Sequence, residues 1–164
     1  MSTKIINIVQ VDYRNAEQGR HLTDLLDDYA RDPMGGGIGL SKAVIESLPA
    51  ALAAVPSAFS LLAYVDDDPA GLINCFPGFS TFKCKPLVNI HDITVKADYR
   101  GLGLSQLMLE SVKAEAEARG CCKLTLEVLS GNEVAARAYR KFGFAAYELD
   151  PAQGHAQFWE LPLG

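Results

Sequence analysis

The chain has 164 residues, 49% hydrophobic and 21% charged, with a formal net charge of −5. That length predicts one domain, residues 1–164, large enough to bury a core without disulfides or a structural metal. The negative balance, with no basic run to offset it, argues against a general binder of nucleic acid or of anionic membranes, and mildly favours a cationic small partner.

Residues 4–11, rich in Ile and Val, predict a first strand, too short and polar for the apolar stretch of a secretory signal. Leu22, Leu25, Leu26 and Tyr29 recur at helical spacing and predict a helix from Asn15 or Glu17 to Arg31. Three consecutive glycines, Gly35–Gly37, predict a mobile loop, and Ser41 a cap for a second helix over residues 42–55. The rhythm then changes to strands over 58–65, 70–76 and 87–95, with Pro77-Gly78 expected to break the second and residues 79–85 expected to be irregular.

A helix over 104–119 stops at Gly120, a strand covers 123–129, and a short helix over 132–142 stops at Gly143. Residues 144–149 and 156–161 predict a closing antiparallel pair. The order is an α+β mix with one central parallel crossover. No apolar run approaches the roughly 20 residues of a membrane span, so no membrane is expected and the cytoplasm is the expected location. Cys75, Cys84, Cys121 and Cys122 lack metal-ligand spacing and read as reduced packing residues; no metal is expected.

Chemistry concentrates in two places. The run Arg100-Gly101-Leu102-Gly103-Leu104-Ser105 follows a strand and opens a helix. Its glycines let backbone N–H groups point inward, and the helix start adds unpaired N–H groups and the positive end of a dipole, which together suit a pyrophosphate. A dinucleotide fold is the rival reading, with Glu127 roughly where a ribose ligand would fall. Against it, Gln106 stands where a third Gly or Ala belongs, the turn follows a meander, and only about sixty residues remain. The second place is the helix over 132–142. There Asn132, Ala135, Ala136 and Tyr139 share one face, an amide and a phenol separated by small side chains. The face suits either a groove for a chain-like ligand or a core-packed surface with Asn132 as its N-cap.

The ordered motifs Tyr99-Arg100-Gly101-Leu102-Gly103-Leu104-Ser105, Leu124-Thr125-Leu126-Glu127-Val128 and Asn132 through Phe144 resemble the GNAT superfamily of N-acetyltransferases. Ser105 departs from the family's usual Gly or Ala but keeps its N–H. The resemblance covers residues 87–145 most closely. It implies the acyl-CoA N-acyltransferase fold, a mixed, mostly antiparallel sheet with splayed strands and flanking helices. It also implies acetyl-CoA (coenzyme A) as co-substrate. Ile93, Thr94 and Val95 would pair with the pantetheine arm through free backbone groups. Arg100, Gly101, Leu102, Gly103, Leu104 and Ser105 would hold the pyrophosphate. Asn132 would hydrogen-bond the pantetheine arm, and Tyr139 would stand near the sulfur.

The implied reaction is attack of an amine on the acetyl thioester. Tyr139, protonated at neutral pH, suits the acid that protonates the departing sulfur. The base is open. Strict alternation puts Asn89, His91, Ile93 and Val95 on one face of their strand and Asp92 on the other, unless a bulge intervenes. His91, an imidazole, suits a base, Asp92 needs desolvation to serve, and a water chain is a third route. Glu127 is a further candidate for meeting a cationic acceptor. His21 and His155 read as surface residues. Phe76, Phe79 and Phe82 either wall an acceptor slot or pack the core, the latter expected for at least two.

The expected acceptor is a primary amine of a small molecule such as a polyamine or an amino acid, with the polyamine and diamine branch the nearest in pattern. The alternatives are a protein N-terminus or lysine, and a non-catalytic coenzyme A-binding module. The resemblance also implies a homodimer, paired through the exposed C-terminal strands, with Phe158 and Trp159 near that edge in support.

Overall fold

A computed structural model describes residues 2–164 of the chain. The chain forms two compact units, Met1–Leu126 and Glu127–Gly164. Among the described residues of the first, five strands make one sheet in the order β1 (Ile6–Gln10), β2 (Phe59–Val65), β3 (Asp68–Ser80), β4 (Lys85–Val95) and β5 (Leu124–Leu126). The first four pair antiparallel and β5 joins β4 in parallel. This is the mixed, mostly antiparallel sheet that the motif resemblance implies.

Helices α1 (Ala16–Arg31) and α2 (Lys42–Ala54) precede the meander, and α3 (Leu104–Ala118) makes the parallel crossover. Asn15 caps α1 by accepting from the Gln18 N–H at 3.0 Å, and Ser41 caps α2 by accepting from Val44 at 3.3 Å. The glycine loop between them is tied at both ends. Asp32 accepts from the Met34 N–H, and Asp27, itself held by Arg31 at 3.0 Å, accepts from the Leu40 N–H at 2.7 Å.

Alternation along β2 and β3 sends side chains to two buried faces. Leu62 and Leu72 pack on one face with Leu22, Leu25, Leu52 and Val11. On the other, Leu104, Met108, Leu109, Val112 and Ala116 of α3 are buried. The Met108 methyl lies 3.0 Å from where a Cβ on Gly71 would stand. Each fully buried leucine stabilises the fold by about 1.5–3 kcal/mol.

Three strand boundaries differ from expectation. Pro77-Gly78 does not end β3, whose pairing runs through Pro77↔Val88 to Ser80↔Lys85. β2 accompanies β3 only as far as Cys75, so Pro77 sits where one edge of β3 is free and a missing N–H costs no ladder bond. β5 is three residues rather than seven. The closing pair over 144–149 and 156–161 is absent among the described residues; a 3-10 turn at Pro151–Gln153 and one bond, Ala156 N–H to Tyr147 C=O at 3.3 Å, stand there instead. Residues 145–164 are exposed throughout. An isolated ribbon that buries neither face lacks what stabilises two strands.

The second unit carries α4 (Glu133–Phe142), capped by Asn132 and closed by Gly143 at φ 121°. No helix among the described residues is long and apolar enough to cross a membrane.

Candidate active site

The chain leaves β4 at Val95 through a 3-10 turn, Ala97–Tyr99. That turn is moored by the Lys96 N–H to the Ala70 carbonyl (2.9 Å) and by the Tyr99 hydroxyl to Asp68 (3.1 Å). Gly101 and Gly103 then take φ of 80° and 78°, the left-handed region that side chains disfavour. A Cβ at either would meet no atom within 4 Å, so backbone angle, not crowding, calls for glycine there. Gly103 is the N-cap of α3 and no side chain caps it. The first N–H groups of a 15-residue helix are therefore not answered by a side-chain cap, at the positive end of its dipole. The exposed Arg100 adds a fixed positive charge beside them. Backbone donors, left-handed glycines and one guanidinium fit a diphosphate.

β4 and β5 pair only at Val88↔Leu124, Asn89↔Thr125 and Ile90↔Leu126. Beyond Ile90, residues 92–95 keep their ladder to β3, while their other edge has no strand of this unit beside it. Ile93, Thr94 and Val95 lie along that edge, which no strand of this unit pairs and which has backbone groups to offer an extended ligand.

The same segment carries a β-bulge. Asp92 pairs with Asn74 and Ile90 with Cys75, so His91 is the extra residue. The expected grouping of Asn89, His91, Ile93 and Val95 on one face is thereby corrected. Past the bulge the alternation inverts. Asp92 and Thr94 join Asn89 on the side of Asn74 and Leu72, while Ile93 pairs with Ile73 on the α3 side. His91 is exposed, with its ring edge-on to Phe76 at 5.6 Å between centroids.

Asp92 ends a chain of hydrogen bonds that runs under the sheet's α1 side. Asn74 Nδ2 donates to Asp92 Oδ2 at 3.0 Å, Ser60 Oγ donates to Asn74 Oδ1 at 2.6 Å, and Ser60 meets the Tyr13 hydroxyl at 2.8 Å. Ser60 is 0% exposed and Asn74 3%. Burial raises the Tyr13 phenol above its ordinary range, against the lowering effect of Ser60. Burial likewise raises Tyr29 on α1, and the charges of Asp92 and Asp32 add to it. Sequence reasoning missed Tyr13, Ser60 and Asn74. The available signal was a polar residue inside each of two apolar runs, Phe59-Ser60-Leu61 and Ile73-Asn74-Cys75.

In the second unit, Asn132 Oδ1 accepts from the Ala135 N–H at 3.2 Å, so its carbonyl serves as the N-cap. The amide nitrogen is left for another partner. Tyr139 is 9% exposed, with its ring edge-on to Phe144 at 6.1 Å, and its carbonyl accepts from the Gly143 and Phe144 N–H groups. Ala135 and Ala136 on the same face are half-buried, while Val134 is exposed. Glu127 is exposed.

Two further expectations are corrected. Of Phe76, Phe79 and Phe82, only Phe76 packs against the core; Phe79 is exposed and Phe82, at 96%, stands at the β3–β4 turn where no element covers it. His21 is half-buried and bonds the Tyr64 hydroxyl at 3.0 Å rather than lying free on the surface. All four cysteines are unpaired; Cys75 is buried and Cys84 exposed. Among the described residues no cluster of His, Cys, Asp or Glu could hold a metal ion.

Residues 40–144 match the model of the acetyltransferase (GNAT) family. The chain is 34% identical over 105 residues to streptothricin acetyltransferase of Streptomyces lavendulae, covering 59% of this chain and 53% of that one. It is 36% identical over 76 residues to thialysine N-epsilon-acetyltransferase of Bos taurus, covering 46% and 43%. The matches thus span about half the length of these curated relatives. The backbone superposes on aminoglycoside N-acetyltransferase AAC(6')-Iy, solved in complex with CoA, with a TM-score of 0.74 at 14% identity over 99% of this chain and 98% of that one. At that identity the likeness is one of fold.

Proposed function

The chain belongs to the acetyltransferase (GNAT) family, and on that premise we propose that it transfers the acetyl group of acetyl-CoA to a primary amine of a small molecule, such as a polyamine or an amino acid. One observation carries the proposal. The strand segment 91–95, whose outer edge no strand of its unit pairs, leads straight into left-handed glycines at a helix start that no side chain caps. A diphosphate needs the second feature and an extended, amide-bearing arm needs the first. The family match, residues 40–144, runs from the first compact unit into the second, so the proposal takes 1–164 as one functional domain.

Bound acetyl-CoA supplies the thioester carbonyl that an amine nitrogen attacks. The chain's residues do the rest. N–H groups from Gly101 to Ser105, with Arg100, hold the diphosphate, and Ile93, Thr94 and Val95 align the pantetheine arm. The Asn132 amide nitrogen gives that arm a further donor. An amine arrives as ammonium and must shed a proton before it attacks. Asp92 and His91, adjacent at the bulge, are the side chains of β4 that can take it. Tyr139 gives a proton to the departing sulfur.

Two relatives are named for acetylation of streptothricin and of thialysine rather than of a protein, which supports a small acceptor. The test is a calorimetric titration with coenzyme A, followed by thiol release from acetyl-CoA across a panel of amines. Saturable binding and turnover with small amines are expected. Absence of coenzyme A binding overturns the proposal, and turnover confined to peptide N-termini or lysines moves the acceptor class.

A further inference from the structure

The chain of hydrogen bonds behind Asp92 has a fixed direction. Ser60 has one hydroxyl proton, and it goes to Asn74 Oδ1 at 2.6 Å. The 2.8 Å contact between Ser60 and Tyr13 therefore has Tyr13 as its donor. Asn74 accepts on its oxygen and donates from its nitrogen to Asp92 Oδ2. Every donor points the same way: Tyr13 to Ser60, Ser60 to Asn74, Asn74 to Asp92. The alternative setting of the Asn74 amide would put its oxygen against a carboxylate oxygen at the same 3.0 Å, two acceptors facing each other.

The location adds to this. Ser60 and Asn74 are buried inside apolar strands, where polar side chains are costly unless bonded. Asp92 is half-exposed at the bulge, where β4 has left β5. The chain uses one of its oxygens and leaves Oδ1 open. The C-terminal end of α1 lies on the same side of the sheet. Tyr29 there is within electrostatic reach of both Asp92 and Asp32, and the negative end of the helix dipole lies at that terminus. Arg31, the basic residue of that turn, is already held by Asp27 at 3.0 Å.

We propose that Tyr13, Ser60 and Asn74 are positioning residues that aim the Asp92 carboxylate at the ammonium of a cationic acceptor. The inference rests on the acetyl-transfer reading. It adds to it the part of the chain that selects the acceptor by charge and holds it before it loses its proton. Coenzyme A is held elsewhere, at the start of α3, so the acceptor and coenzyme affinities are expected to move independently.

The experiment uses the full chain with a diamine as the probe acceptor at saturating acetyl-CoA. It compares Asp92→Asn, Asn74→Ala, Tyr13→Phe, and each of the last two combined with Asp92→Asn. Asp92→Asn is expected to raise the amine KM by about tenfold or more, the size of a lost charge-assisted bond. Asn74→Ala should raise it about fivefold and Tyr13→Phe about twofold, mainly through KM rather than kcat. Both effects should vanish in the Asp92→Asn background, because a group that acts through Asp92 has nothing left to aim. Coenzyme A affinity should be unchanged in every variant.

Effects that multiply with Asp92→Asn, or that appear equally in the coenzyme affinity, would overturn the inference and leave Asn74 a structural residue. If Asn74→Ala does not fold, Tyr13→Phe carries the same comparison, since it removes one hydroxyl at the half-exposed end of the chain. Failure of the unaltered protein to bind coenzyme A would instead remove the acetyl-transfer reading, and this inference with it.

Discussion

Cys75 shows how one buried side chain sets a condition on the whole fold. Its thiol is fully enclosed beneath the sheet, and burial pushes its pKa from 9.0 up to about 12, with Arg119 lowering it and Asp92 raising it further. The charged form is the disfavoured one, so the sign is fixed. Below pH 9 the thiol is neutral in both folded and unfolded chains and its contribution is fully present. Between 9 and about 12 the unfolded chain releases a proton that the folded chain keeps, and stability falls as pH rises, by about 1.4 kcal/mol per pH unit from this group. Urea unfolding followed across that window should show the decline, and Cys75→Ala should flatten it by one proton's worth. An unchanged slope would mean that the thiol is reached by solvent in the native state. The sequence alone made Cys75 legible as a packing residue. It did not reveal the neighbouring Asn74, because a single polar residue in an apolar run reads equally as a strand edge. Only the pairing of Ser60 with Asn74, and of Asn74 with Asp92, turns those positions into a buried chain.

At the scale of the elements, the start of α3 is the feature most exposed to test. Gly103 holds φ at 78° with open space around it, so Gly103→Ala adds no clash and costs only the left-handed conformation, about 1–2 kcal/mol. Chemical unfolding should register that loss. A turn that relaxes out of the left-handed region loses the aim of its N–H groups, and restoring it on binding should lower coenzyme A affinity by about tenfold, since each 1.4 kcal/mol is a factor of ten. Affinity that stays level while stability drops would show that the diphosphate is held elsewhere. This turn was legible beforehand for a local reason: glycine spacing and helix periodicity are written in consecutive residues. The cap at Ser41 and the stop at Gly143 were legible in the same way. The bulge at His91 was not, since it arises from how β4 meets β3, which no alternation within β4 records. The missing closing strands are the converse case. Their apolar side chains, Tyr147, Leu149, Phe158, Trp159 and Leu161 among them, wrote a strand-like pattern, yet all are exposed and bury no face.

On the scale of the whole molecule, the residues proposed for chemistry belong to both compact units: the glycine turn, His91 and Asp92 to the first, Asn132 and Tyr139 to the second. This separation makes the proposed division of labour testable with a single atom. Tyr139→Phe keeps the ring, which is edge-on to Phe144, and leaves the helix cap at Gly143 in place because the backbone carbonyl makes it. Coenzyme A affinity, read at the first unit's turn, should therefore hold. Turnover should not. If the hydroxyl protonates the leaving sulfur, kcat should fall by about a hundredfold or more, the usual worth of a positioned acid, with KM for acetyl-CoA little changed. Raising the pH until the phenol ionises should narrow the gap, because the unaltered protein then loses its acid as well. Full activity in the variant would take the acid role from Tyr139 and pass it to solvent. A fall confined to acetyl-CoA KM would make the phenol a binding group for the pantetheine arm instead, and the second unit's contribution would then be affinity rather than chemistry.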